Sequence, residues 1–294
     1  MSLWVGFHLR EGIGRRPGLE ALVAGAFWAV LLGQPGVVAA QSTRDRPPDW
    51  TGELAFIGGN ALLGGATAAL LQHLRGGSAW DAFRAGALGG GVAYAGRRIA
   101  VEPFRGAGLI GRQVSGVGTS MVRNAADGWS PFARLVLPYG PARIYLATDS
   151  TSPLRFGARV KLDLPTLVAT AVVALRHRST LDIETSLSVG TPVLVGKEFW
   201  TDEGWAGYQM AGMIWLRGNP DDPTPFVERR VVLSHELVHV LQYDFTFLTW
   251  SDPAEEWIIA RMPGGKWINQ WFDLGLHLAA WGAANSLIPH EQRP

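Results

Sequence analysis

The sequence predicts an α+β fold in which a Gly/Ala-rich helical layer precedes a region of short strands and one long amphipathic helix. Three observations carry this. Between Glu53 and Arg75 lie 21 residues without an Asp, Glu, Lys or Arg, rich in Gly, Ala and Leu. Beyond Gly128 the texture changes to short Val-, Ile-, Leu- and Thr-rich runs separated by Pro and Gly turns, the mark of strands. From about residue 224 to Tyr243 a helical period runs without a breaker.

The helical layer rests on recurring small residues. Ala61, Gly65 and Ala69, then Ala82, Gly86 and Gly90, then Gly111, Ser115 and Thr119 stand four apart, so each set lines one helix face and lets backbones approach closely. The 54–74 stretch is long enough to cross a bilayer, but the charge-free run at 85–96 has only 12 residues, too few to return. A glycine-packed soluble layer and a membrane-associated one, integral or peripheral, both remain open. Strands are expected at 134–138, 142–147, 156–164, 180–189 and 208–216, and a buried helix at 164–176 with Pro165 in its first turn.

Ahead of these elements, Arg10, Arg15 and Arg16 precede an uncharged stretch from 21 to 32. Breakers follow, and then Val38 and Ala40 stand at the positions a signal peptidase reads. Residues 1–40 are therefore expected to be a signal peptide, 41–125 a linker and the Gly/Ala-rich helical region, and 126–294 the second domain. The expected compartment is the periplasm or cell envelope. With no Cys in the chain, export requires no oxidation for folding, and any metal must sit on His, Asp or Glu. Lys plus Arg total 26 against 25 Asp plus Glu, with no long run of either sign, which argues against a nucleic-acid partner. Charged residues are 17% and mean hydropathy is +0.10, too apolar for a disordered chain.

The chemistry lies in the last of these helices. His235 and His239 are four apart and lie one above the other on a helix, where they can offer imidazoles to a single ion. Glu236 is rotated by about 100° from His235 and borders the same site without having to be a ligand. Leu233, Leu237, Val240 and Leu241 form an apolar stripe on the other side to anchor the helix. In a chain of this composition, His-Glu-x-x-His arises by chance roughly 0.007 times.

With His235, Glu236 and His239 matching that signature in full, the segment resembles the zincin metallopeptidases. The resemblance implies a zincin-like domain with a mixed or antiparallel sheet beside the active-site helix, Zn2+ as cofactor, and a peptide or protein as substrate. It further implies a zinc-bound water as nucleophile, Glu236 as general base, and an edge strand that binds substrate by strand addition. The extended metzincin signature is absent, because Gln242 and Phe245 stand where its glycine and third histidine would be.

A catalytic zinc site takes three protein ligands. Asp252 and Pro253 start a further helix that carries Glu255 and Glu256 in its first turn, compatible with the gluzincin arrangement in which a Glu on a following helix completes the site. Glu255 is the favoured third ligand, with Glu256, Asp244 and His277 as alternatives. Asp244 would point about 140° from His239 in a continuous helix. Tyr208 and Tyr243 are candidate oxyanion donors.

Trp267, Trp271, Leu274, Leu278 and Trp281 follow a helical spacing suited to core packing or to a membrane interface. A nucleophile elbow and a phosphate loop are missing from the sequence. The function read from the sequence is zinc-dependent peptide-bond hydrolysis in the cell envelope. The alternative is a non-catalytic envelope assembly or anchoring module with a structural or vestigial metal site.

Overall fold

The computed structural model describes residues 50–149, 152–162, 164–196, 207–210, 212–218 and 226–251. The expected signal peptide, the start of the long helix near residue 224, Glu255, Glu256, His277 and the Trp-rich carboxy-terminal stretch lie outside the described residues. Within them the architecture is α+β: six α-helices and two small sheets.

Three helices come first, α1 (Trp50–Leu74), α2 (Ala79–Ala100) and α3 (Ala107–Ala126). Ser78 caps α2 by accepting from the Asp81 backbone N–H at 3.3 Å. As the small-residue spacing predicts, glycine sets how closely these helices approach. A Cβ on Gly64 would lie 2.5 Å from the Gly86 carbonyl oxygen, and one on Gly90 2.2 Å from that of Asn60. The α2–α3 seam is equally tight: a Cβ on Gly96 would meet the Ser115 nitrogen at 2.3 Å, and one on Gly118 the Ala93 nitrogen at 2.2 Å. Helix α2 thus has two glycine faces, Gly86 and Gly90 toward α1, and Gly89 and Gly96 toward α3.

Strands β1 (Arg134–Tyr139), β2 (Ala142–Asp149) and β3 (Ser152–Leu162) form an antiparallel meander in that order. Its inner face packs Val136 and Tyr145 against Tyr243, Phe247 and Leu248. There the Arg143 guanidinium lies over the Phe247 ring at 3.5 Å from its centroid. The expected helix at 164–176 is present as α4 (Leu164–Arg176), but it is not buried: only one side packs, through Val173 against Leu194, Met213 and Trp215, and Leu167, Val168, Val172 and Leu175 are exposed.

Two expectations about strands are corrected. The 180–189 run is a strand only at β4 (Thr180–Leu181); Ile183–Val189 is a helix, α5. Asp182 decides this by capping the Thr185 N–H at 3.0 Å, while Ser186 and Ser188 hydroxyls donate back to the carbonyls of Asp182 and Thr185. The 208–216 run is a hairpin, β6 (Gly207–Met210) and β7 (Met213–Arg217), with Tyr208 opposite Trp215 and Met210 opposite Met213. Gly212 makes the reversal at φ +79°, a left-handed conformation that glycine adopts without strain. Strand β5 (Val193–Gly196), a fully buried run after Thr191 and Pro192, was not foreseen; it pairs parallel with β7.

The second sheet has the order β4–β5–β7–β6, so β6 is an edge strand among the described residues. Across it lies α6 (Phe226–Thr246), which runs on into a π-helical turn, Phe247–Ser251. Leu237, Val240 and Leu241 pack with Val193, Ile214, Leu216, Val189 and Ala100, so the predicted apolar stripe is the core-facing side of α6. Ala100 comes from α2, so this core also takes in the end of the helical layer.

The glycine seam yields opposite outcomes at neighbouring positions. Gly91→Ala, where a Cβ meets nothing within 4 Å, should raise stability by about 0.5–1 kcal/mol through helix propensity. Gly96→Ala should lower it by about 1–3 kcal/mol, because the new methyl strikes the α3 backbone. Thermal unfolding of the two variants checks this, and a neutral Gly96→Ala refutes the packing account.

Candidate metal centre

The site is built on the middle of α6. With its Leu237, Val240 and Leu241 side held in the core, the helix turns His235 and His239 to its other side. Their Nε2 atoms converge to 3.2 Å, and the rings stand edge to face at 79° with centroids 4.8 Å apart. Two zinc–nitrogen bonds of about 2.05 Å spanning that 3.2 Å enclose an angle of about 103°, near the tetrahedral value. The donor pair therefore fits one small divalent cation.

The proton arrangement agrees. Gln242 Oε1 lies 3.2 Å from His239 Nδ1 and, being a carbonyl oxygen, can only accept there. Nδ1 then carries the hydrogen and Nε2 is left with its lone pair toward His235, as metal ligation needs. Burial, and next the neighbouring His235, push the His239 imidazole down to about 4, and burial pushes His235 below its usual range. Both rings are neutral at physiological pH, and the His235 Nε2–H donates to the His239 Nε2 lone pair, so a metal ion would take the place of that one hydrogen.

Glu236 is 7% exposed and faces β6. A Cβ on Gly207 would sit 3.2 Å from the Glu236 Cγ and 2.4 Å from Val232 Cγ1, so the absence of a side chain at 207 lets the edge strand lie against this part of the helix. Burial raises the Glu236 carboxyl to about 8. Tyr208, the next residue along β6, has its hydroxyl pushed well up by burial and then by the charge of Glu236.

No protein-family model, curated protein or solved structure matches the chain.

The site is thus read from its residues alone. The His235 and His239 imidazoles converge, and Glu236 lies against Gly207 of β6; Glu255, Glu256 and His277 lie outside the described residues. Among the described residues, no group of three or more His, Cys, Asp or Glu is placed to hold a metal ion. Asp244 is committed elsewhere. Arg112 Nε donates to its Oδ2 at 2.7 Å and Nη2 to its Oδ1 at 3.2 Å, with both side chains buried. Arg112 Nη1 also donates to the Gly190 carbonyl. Tyr243 is buried against Val136, Tyr145 and Phe247 beneath the meander, whereas Tyr208 sits on the edge strand next to Glu236. Sequence reading missed the parts played by Gly207, Gln242 and Arg112. An Arg inside a Gly-rich, charge-poor helix was the one available signal for the last.

The Arg112–Asp244 pair ties α3 to the carboxy-terminal end of α6. Asp244→Asn leaves a buried guanidinium without its anion and should cost about 3–5 kcal/mol. Replacing both partners with Leu should cost less, and equal losses in a urea titration would refute the pairing.

Glu236 gives a signed pH effect in protein kept metal-free with chelator. Its raised pKa means that the stability it contributes is full below about 4.5 and is lost as pH rises through about 8. Glu236→Gln should therefore gain on the parent progressively across that window, by a few kcal/mol at its upper end. The histidines, with lowered values, cost both proteins equally as pH falls below about 6.5, so the difference isolates Glu236. A difference in Tm that does not vary with pH would refute the burial effect.

Proposed function

We propose that the protein is a zinc-dependent peptidase of the cell envelope, with His235, His239 and Glu255 holding the metal and Glu236 as general base. The observation that carries this reading is the 3.2 Å convergence of two neutral imidazole Nε2 atoms, with a buried carboxyl one residue away on the same helix. Zn2+ bound there would supply a water with a pKa of about 7 and polarise the scissile carbonyl.

The protein's own groups have defined tasks. Gln242 holds the His239 tautomer. Burial against β6 makes Glu236 a stronger base than an ordinary carboxylate, and a neighbouring cation would favour the deprotonated form that can accept a proton. It takes the proton from the attacking water and passes it to the leaving amine nitrogen. Strand β6 lies at a sheet edge among the described residues, beside this carboxyl, where strand addition would lay an extended peptide, and Tyr208 on that strand is the candidate oxyanion donor. The zincin likeness and the envelope location enter through the motif and the leader-like amino terminus.

Glu236→Gln should retain metal and lose hydrolysis of an unstructured protein substrate by at least about a hundredfold, the scale of general-base catalysis. His239→Ala should lose both metal and activity. Metal analysis of gently purified protein should find one zinc per chain. Undiminished turnover in Glu236→Gln removes the base assignment, and folded protein that takes up no zinc favours the assembly-module alternative.

A further inference from the structure

We propose that Arg97 is an anion-binding residue: its guanidinium, where α1, α2 and α6 meet, takes a carboxylate or phosphate group that the described chain does not supply. This inference does not rest on the metal-site reading. It starts from how the helical layer treats its other arginines. Residues 50–127 contain seven Arg and no Lys. Six of the seven form an ion pair with a carboxylate, even Arg84 and Arg105 at the surface. Arg97 alone has no carboxylate among the described residues, and it is only 6% exposed. An ion left without its counter-charge is most costly where it is buried.

The surroundings of Arg97 supply dipoles in place of a charge. Its Nη1 donates to the Asn60 side-chain oxygen at 2.7 Å, and the Phe245 ring centre lies 5.5 Å from its Cζ. Arg97 also stands in the last turn of α2, where the helix end carries partial negative charge. The nearby acids are committed to other cations. Glu53, the one acid of α1, accepts from the Tyr94 hydroxyl and pairs with Arg98, and Asp244, beside Phe245 in sequence, pairs with Arg112. Burial accordingly pulls the Arg97 guanidinium down to about 10, the direction an unmatched cation takes.

The unused donors select the ligand. A guanidinium holds five N–H groups in one plane, and its Nε–H points the same way as one Nη2–H. With Nη1 fixed on Asn60, Nε is buried without an acceptor. The Nε–Nη2 edge is therefore open, and it is a fork that matches two oxygens of one carboxylate or phosphate. A halide, with a single centre, cannot satisfy both donors.

Thermal unfolding of the full chain would be followed against inorganic phosphate and against acetate, with chloride at matched ionic strength as reference. Phosphate stabilises proteins generally by exclusion from their surface, without saturating, so variants isolate the site. The parent and Arg84→Met should gain Tm along a curve that saturates, with no such gain from chloride. Arg97→Met should keep only the non-saturating part. Arg97→Lys, which retains the charge but not the fork, should bind roughly tenfold more weakly and stands in if Arg97→Met does not fold. Calorimetric titration of the parent, which needs no variant, should find one oxyanion per chain. Saturation by acetate alone supports the site and assigns a carboxylate ligand; saturation by phosphate alone supports it and assigns a phosphate. The proposal is overturned if the parent binds neither anion, or if the saturating gain persists undiminished in Arg97→Met or Arg97→Lys.

Discussion

Helix α6 is buried along one side and chemically occupied along the other, and the rest of the described structure depends on that division. Leu237, Val240 and Leu241 commit the helix to the sheet core, which fixes its rotation and so brings the two Nε2 atoms to 3.2 Å. Gln242, one turn further on, settles the protonation of the ring it touches. Rotation about the helix axis would expose the leucines and move Glu236 off the edge strand together, so packing and chemistry share one constraint.

The glycine-rich helices support this arrangement. Close approach of α1, α2 and α3 leaves α3 against α6, where Arg112 grips Asp244 and the Gly190 carbonyl. Ala100 of α2 enters the same core cluster as Leu237, and the Arg97 guanidinium lies 5.5 Å from the centre of the Phe245 ring. The helical layer thus forms a wall of the structure that carries the histidines.

Local signals were legible where one periodicity governed. The apolar stripe of α6, the four-residue spacing of small residues, and Leu164–Arg176 as a helix all follow from side chains repeating on one face. Legibility failed where a side chain competed with the pattern. Asp182 capped a helix out of a run that alternates like a strand. Gly212 folded one apparent strand into a hairpin, and the four-residue Val193–Gly196 strand is too short and too uniformly apolar to show a period.

By itself, the sequence determined that two histidines and a glutamate share a helix, because residues four apart on a 3.6-residue turn must fall on one side of it. Tertiary structure alone decided what surrounds them. That Asp244 answers to Arg112, that Glu236 is dry and faces a strand edge, and that Gly207 opens the space between them depend on contacts between segments far apart in the chain. Such contacts arise from how whole elements stack, and no local spacing encodes them.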